Sequence, residues 1–213
     1  MIIMGMDLSG PSNTEDTAVV VFGSSKKGLE RETVLNSATD QDIVTLLNAY
    51  HDHPSVVAGI DAPLSYNPGG GDRPGDAGLR KTLTAAGMLP GSVMTPTMTR
   101  MVYLTLRGMG VARLIQQCCP DAALAEVHPG GAMALRGASV ADVRSFKKSP
   151  GARTRLLAWM EAQGIGGAAS EENPSDHYVA ACAAALGAWG WHRGNPAWQL
   201  RAKPPIHPFD YVC

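Results

Sequence analysis

The chain has 213 residues with a formal net charge of −1; 45% of the residues are hydrophobic and 17% are charged. These proportions exclude a disordered chain, and the length suits one domain with a sizeable core. No apolar stretch reaches the ~18–20 residues of a membrane span, and the four cysteines lack the density of a disulfide scaffold. Because no charged leader precedes the first apolar run, we expect a cytoplasmic protein.

The two ends of the chain differ in charge. Residues 1–79 contain 11 acidic side chains and 4 lysines or arginines, whereas residues 80–213 contain 8 acidic side chains and 14 lysines or arginines. An acidic part next to a basic part could bind a metal ion and an anion side by side. The sequence pI of about 6.6 argues against strong binding to duplex DNA by charge alone.

The predicted elements begin with an apolar run at residues 2–6, which ends on Asp7 and is followed by turn residues. Short apolar runs bounded by turn residues are typical of buried strands. Residues 17–22 and 31–38 are rich in β-branched side chains and predict two further strands. Because short turns connect the three strands, they are expected to form an antiparallel meander.

A helix is predicted after the meander, capped by Thr39 or Asp40, and a fourth strand follows at residues 56–64. A strand–helix–strand crossover is right-handed and joins parallel strands. This fourth strand contains Asp61 close to its end. If it pairs with the first strand, Asp7 and Asp61 lie side by side at the same end of the sheet, where both strands finish.

The rest of the chain is predicted to alternate between helices and one more strand. Residues 66–120 form a helical insertion, with a turn-rich start and helices at 77–87 and 97–118. The fifth strand, at 122–127, carries Glu126. Helices at 130–135, 149–163 and 174–189 follow; the last has Asp176 in its first turn and enough alanines to lie close to the sheet. A proline-rich tail at about 192–213 is expected to be extended.

Four acidic residues are therefore expected at one centre: Asp7, Asp61, Glu126 and Asp176. A carboxylate without a partner at the end of a buried strand raises the free energy of the folded state. A shared role for the four acids is therefore a better explanation than four unrelated loop caps. Carboxylates suit Mg²⁺ or Mn²⁺, and two such ions can support phosphodiester hydrolysis. The alternation of side chains along a strand leaves open that Glu126 points away from the other three.

Five segments carry a resemblance to a known family. They read GMDLSG (5–10), GIDAPLS (59–65), DAGLRK (76–81), EVHPGGA (126–132) and SDHYVAACAAA (175–185). Together with the order of the predicted elements, they resemble a predicted nuclease family with an RNase H-like fold, known as domain-of-unknown-function family 429.

The resemblance implies an α/β fold for residues 1–213 as a single RNase H-like domain. Its five-stranded mixed sheet would contain three antiparallel strands and then two parallel ones, flanked by helices. It also implies a metal-dependent nuclease that hydrolyses phosphodiester bonds, with nucleic acid as the substrate. Asp7, Asp61, Glu126 and Asp176 would be the catalytic carboxylates; Asp7, Asp61 and Asp176 would bind Mg²⁺ or Mn²⁺.

Other polar residues are candidates for supporting roles. His128 and His177 lie next to the acids in the sequence and could orient water or move a proton, although a structural hydrogen bond is the more common role of such histidines. The cationic side chains that could bind phosphate are Arg73, Arg80, Lys81, Lys147, Lys148, Arg153 and Arg155. Four of them, Arg80, Lys81, Lys147 and Arg153, are the predicted phosphate-binding residues.

The sequence also bears on other classes of function. No histidine and cysteine spacing indicates zinc, and no Gly-x-Ser-x-Gly motif indicates a serine hydrolase. A sugar-kinase or actin-like phosphate binder also begins with an aspartate-ended strand, but it needs two such domains. The alternative that stays open is a catalytically inactive RNase H-like module that binds nucleic acid or a protein. The sequence does not indicate an oligomeric state.

Overall fold

The computed structural model describes residues 1–213. One mixed sheet contains eight strands: β1 (Ile2–Asp7), β2 (Ala18–Ser25), β3 (Gly28–Asn36), β4 (Val56–Asp61), β5 (Ala123–Val127), β6 (Ile165–Gly166), β7 (Gln199–Leu200) and β8 (Asp210–Val212). Seven helices flank it: α1 (Asp40–Ala49), α2 (Pro74–Ala85), α3 (Thr99–Cys118), α4 (Pro129–Ala134), α5 (Val140–Ser145), α6 (Pro150–Ala162) and α7 (Asp176–His192).

The strand order across the sheet is β6-β3-β2-β1-β4-β5-β8-β7. The antiparallel meander β1–β2–β3 and the parallel strands β1, β4 and β5 are present as predicted. The predicted number of strands was wrong, because β6 extends one edge and β8 and β7 extend the other. These additions have only two or three residues each, too few to give an alternating pattern in the sequence.

The C-terminal segment is therefore more than the extended tail that we expected. Strand β8 pairs in parallel with β5, and β7 pairs with β8. The ring of Trp198 packs edge-on against that of Tyr211, with the ring centroids 5.5 Å apart. These long-range contacts fix the segment at the edge of the sheet. No helix of the chain is both long and apolar enough to span a membrane.

Helices cover both faces of the sheet. A core of 37 buried residues joins one face to α4, α6 and α7, and a core of 20 joins the other face to α1 and α3. Alternate residues of β1 enter the two cores: Ile3 lies in the first, while Met4 and Met6 lie in the second. By the same alternation, Asp7 belongs to the face that α7 covers.

Helix α7 lies directly against β1 and β4 because glycine occupies the contact positions. A Cβ atom on Gly5 would come within 2.0 Å of the Ala181 carbonyl oxygen, and one on Gly59 within 2.6 Å of the Ala184 carbonyl oxygen. The prediction that the alanines of this helix allow close packing is confirmed. The close approach places the first turn of α7 at the carboxyl ends of β1 and β4.

Helix α3 runs without a break through Gly108 and Gly110. Gly108 allows a close contact, since a Cβ there would lie 2.8 Å from the Pro63 carbonyl oxygen. On this helix Met101 is buried and the neighbouring Val102 is exposed. The helix is thereby held against the segment that follows β4.

Candidate functional site

Asp7 and Asp61 end neighbouring parallel strands and are partners in the β1–β4 register. The two carboxyl groups lie within hydrogen-bonding reach of each other. No lysine or arginine forms an ion pair with either of them, although Lys147 is close enough to lower the pKa of both. The expectation that the two acids are neighbours at one end of the sheet is confirmed.

Burial raises the pKa of both carboxyl groups. The effect is larger for Asp61, whose pKa lies well above its ordinary value because of burial and the adjacent charge of Asp7. The pKa of Asp7 is also raised by burial, while the hydrogen bond and charge of His177 oppose the increase. Two buried acids this close share a proton unless a cation neutralises them.

The first turn of α7 adds His177 and Asp176 to the pair. The Nδ1 atom of His177 lies 2.8 Å from Oδ2 of Asp7, and its Nε2 atom lies 3.9 Å from Oδ1 of Asp176. Oδ1 of Asp16 is 3.5 Å from the same Nε2 atom. The hydrogen bond to Asp7 is the main cause of the raised pKa of His177, and burial opposes it. His177 therefore lies among three acids, and their negative charge favours its protonated form.

Asp16 is a residue that the sequence analysis missed. It lies in a short 3-10 turn between β1 and β2, and Asn13 donates a hydrogen bond to its side chain. The turn-rich segment SGPSNTED gives no periodic signal, so its acids could not be told apart by sequence. The connection itself is held in place by buried Arg107, whose guanidinium donates to the Ser9 carbonyl oxygen and to Oγ1 of Thr17.

Glu126 does not offer free carboxylate oxygens. Its Oε1 atom accepts from Nη2 of Arg73 at 2.6 Å, and its Oε2 atom accepts from Nη1 of Arg73 at 2.7 Å and from the Leu64 backbone N–H at 2.9 Å. Arg73 also binds Asp76, so one buried guanidinium forms ion pairs with two acids. The structure gives Glu126 a buried ion pair in place of the open position expected of a fourth catalytic carboxylate.

The position of Glu126 on β5 explains this difference. Its register partner on β4 is Ile60, which lies in the core shared with α1 and α3. Asp61 is the next residue along β4 and so belongs to the opposite face. The alternation that left the direction of Glu126 open in the sequence thus separates it from Asp7 and Asp61.

His128 also has its hydrogen-bonding capacity occupied. The Gly131 backbone N–H donates to Nδ1 at 2.8 Å, so the ring proton lies on Nε2, which donates to the Ser92 carbonyl oxygen at 2.8 Å. Burial lowers the pKa of this histidine, which keeps it neutral. Both nitrogens are therefore used to cap α4 and to hold a neighbouring loop.

The four predicted phosphate-binding residues have different surroundings. Arg80 is paired with Asp72, Lys81 is exposed on α2, and Arg153 donates to the Phe146 carbonyl oxygen at 3.1 Å. Lys147 alone among the four lines the cleft above Asp7 and Asp61. Arg144 and Lys148 lie beside it on the same wall of the cleft.

This cleft has a volume of about 700 Å³, and five acids line it: Asp7, Asp16, Asp61, Glu126 and Asp176. No group of three or more acidic, histidine or cysteine side chains forms a ready-made metal site within it. Mg²⁺ commonly binds through one or two carboxylates and keeps several waters, so a pair of adjacent carboxylates suits such an ion. Asp7 and Asp61 are such a pair, and neither has a lysine or arginine partner.

A comparison with family models finds a match to the family described as "Protein of unknown function (DUF429)" over residues 5–203. All five sequence segments quoted above lie within this range. No curated protein and no solved structure matches the chain.

Proposed function

The chain belongs to the DUF429 family, and from its site we propose that it is a divalent-metal-dependent nuclease with an RNase H-like fold. One observation carries the proposal: two neighbouring carboxyl groups, those of Asp7 and Asp61, lie side by side in a cleft with no lysine or arginine partner, and only Asp7 is paired with a histidine, His177. A purely structural pair would raise the free energy of the folded state. A divalent cation supplies the missing positive charge.

The order of the strands supports the RNase H-like part of the proposal. Strands β3, β2, β1, β4 and β5 form a central mixed sheet, and α7 packs across it with Asp176 in its first turn. This arrangement brings side chains from β1, β4 and α7 to one end of the sheet. Rigid elements suit a catalytic site because they fix the separation of its carboxylates.

Each part of the cleft has a role in this proposal. Asp7 and Asp61 would hold the cation, and Asp176 and Asp16 line the same cleft. The cation would supply Lewis acidity for a phosphate oxygen and would lower the pKa of a bound water. His177 holds the Asp7 carboxylate in place through Nδ1. Lys147, with Arg144 and Lys148, attracts the negatively charged substrate to the basic wall.

The direct test is cleavage of labelled single strands, duplexes and junctions of DNA and RNA with Mg²⁺ or Mn²⁺, with and without EDTA. We expect metal-dependent products from the wild-type protein and none from Asp7→Asn, which keeps the side-chain shape. Glu172→Gln, a change at an exposed acid outside the cleft, is the matched control and should cleave normally. Full activity in purified Asp7→Asn, or no activity on any substrate, would contradict the proposal. Binding without turnover would favour an inactive nucleic-acid-binding module.

A further inference from the structure

The cleft has an apolar wall that the proposed chemistry does not require. The wall comes from the insertion between β4 and β5 and comprises Met88, Leu89, Met94, Met101 and Leu104. Leu89 is 54% exposed, so part of this wall is open to solvent. Methionine side chains are flexible and polarisable, and their sulfur atoms make favourable contacts with aromatic rings.

The cleft also has a basic part, here called the basic wall, formed by Arg144, Lys147 and Lys148. None of these three side chains forms an ion pair with an acid of the chain, whereas Arg155, close by in the sequence, is paired with Asp142. The cleft therefore combines unneutralised positive charge, apolar surface and the Asp7–Asp61 pair.

We infer that the ligand of this cleft is a single-stranded polynucleotide, with an unstacked base on the apolar wall and its phosphates along the basic wall. The inference rests on the proposed nuclease function and specifies its substrate class. In a duplex, the base faces are stacked and cannot contact the exposed side chain of Leu89, whereas a single strand exposes them. The net charge of −1 also leaves little nonspecific attraction for a duplex.

The first test measures binding of fluorescein-labelled oligonucleotides to the wild-type chain by fluorescence anisotropy in EDTA, which prevents metal-dependent cleavage. Four short probes are compared: a DNA strand, an RNA strand, a hairpin duplex, and an abasic strand with the same number of phosphates. We expect at least one of the single strands to bind about tenfold or more tightly than the hairpin and the abasic strand. Equal affinity for all four probes, or no binding to any, would overturn the inference.

The second test uses paired variants. Leu89→Gln should weaken binding of the single strand about fivefold or more, because it removes apolar contact from the base. Leu106→Gln is the matched control, since Leu106 is 56% exposed on α3 but lies outside the cleft. Likewise, Lys147→Gln should weaken binding and Lys26→Gln, on the exposed β2–β3 turn, should not. An unchanged affinity in Leu89→Gln would overturn the assignment of the apolar wall.

The two proposals fail in different ways. Preferential single-strand binding without cleavage in Mg²⁺ or Mn²⁺ would support the substrate class and contradict nuclease activity. Cleavage that depends on Asp7 but favours duplexes over single strands would support nuclease activity and overturn the substrate class.

Discussion

Two groups of buried acids lie at the ends of adjacent parallel strands, and they differ in their partners. Glu126, on β5, is held by both terminal nitrogens of Arg73, which also binds Asp76. Asp7 and Asp61, on β1 and β4, have only each other, His177 and the more distant charge of Lys147. The chain therefore pairs Glu126 with its own guanidinium and leaves Asp7 and Asp61 without a lysine or arginine partner. Burial alone does not distinguish a functional acid; the lack of such a partner does.

The largest loss of stability is expected from removing Arg73 from its ion pairs with Glu126 and Asp76. Arg73→Met leaves Glu126 and Asp76 buried without a positive charge, which should lower the free energy of unfolding by about 3–5 kcal/mol. Urea denaturation measures this change. Arg80→Met is the control, because the Arg80–Asp72 pair is more exposed and should cost about 1 kcal/mol or less. Similar losses in the two variants would remove the distinction between a buried and an exposed ion pair.

The second prediction uses one measurement on both groups. In EDTA, Asp61→Asn should make the protein more stable, since it removes a buried charge that lies against Asp7. Glu126→Gln should make it less stable, because Arg73 loses a charged partner. If both variants shift the urea midpoint in the same direction, the two groups do not differ as described.

A smaller effect is expected from pH. The raised pKa of Asp61 means that the folded protein keeps a proton at pH values where the unfolded chain has lost it. The folded state then binds more protons, so the free energy of unfolding falls as the pH rises through the folded-state pKa. In EDTA, the free energy of unfolding of the wild-type protein should fall as the pH is raised from mildly acidic to neutral values. Asp61→Asn should lose less over the same range, and parallel curves for the two proteins would contradict the coupling.

The central sheet and the Asp7–Asp61 pair could be predicted because their signals are local. Each strand from β1 to β5 is an apolar run between turns, and the helix before β4 required parallel pairing. His177 could be proposed because it follows Asp176 directly. The strands β6, β7 and β8 could not, because two or three residues carry no period and their pairing partners are distant in the sequence.

The partner of Glu126 could not be predicted for a related reason. Arg73 lies in the turn-rich segment before α2, 53 residues away from Glu126, and nothing local marks it as a buried cation. Asp16 was missed because its turn contains another acid, Glu15, with no period to separate them. Sequence patterns thus placed the acids on elements, while their partners depend on how the connections fold back over the sheet.

The most direct test of the central claim is the binding of Mn²⁺ to the metal-free protein, measured by isothermal titration calorimetry. The account predicts binding by the wild-type protein and by Glu126→Gln, once circular dichroism shows that the variant is folded. Asp61→Asn should weaken Mn²⁺ affinity by roughly 100-fold or more, and Asp176→Asn by roughly tenfold, as for a residue that contacts the ion through water. Unchanged Mn²⁺ affinity in Asp61→Asn, or an equal loss in Glu126→Gln, would contradict the claim that the unpaired acids are the metal site.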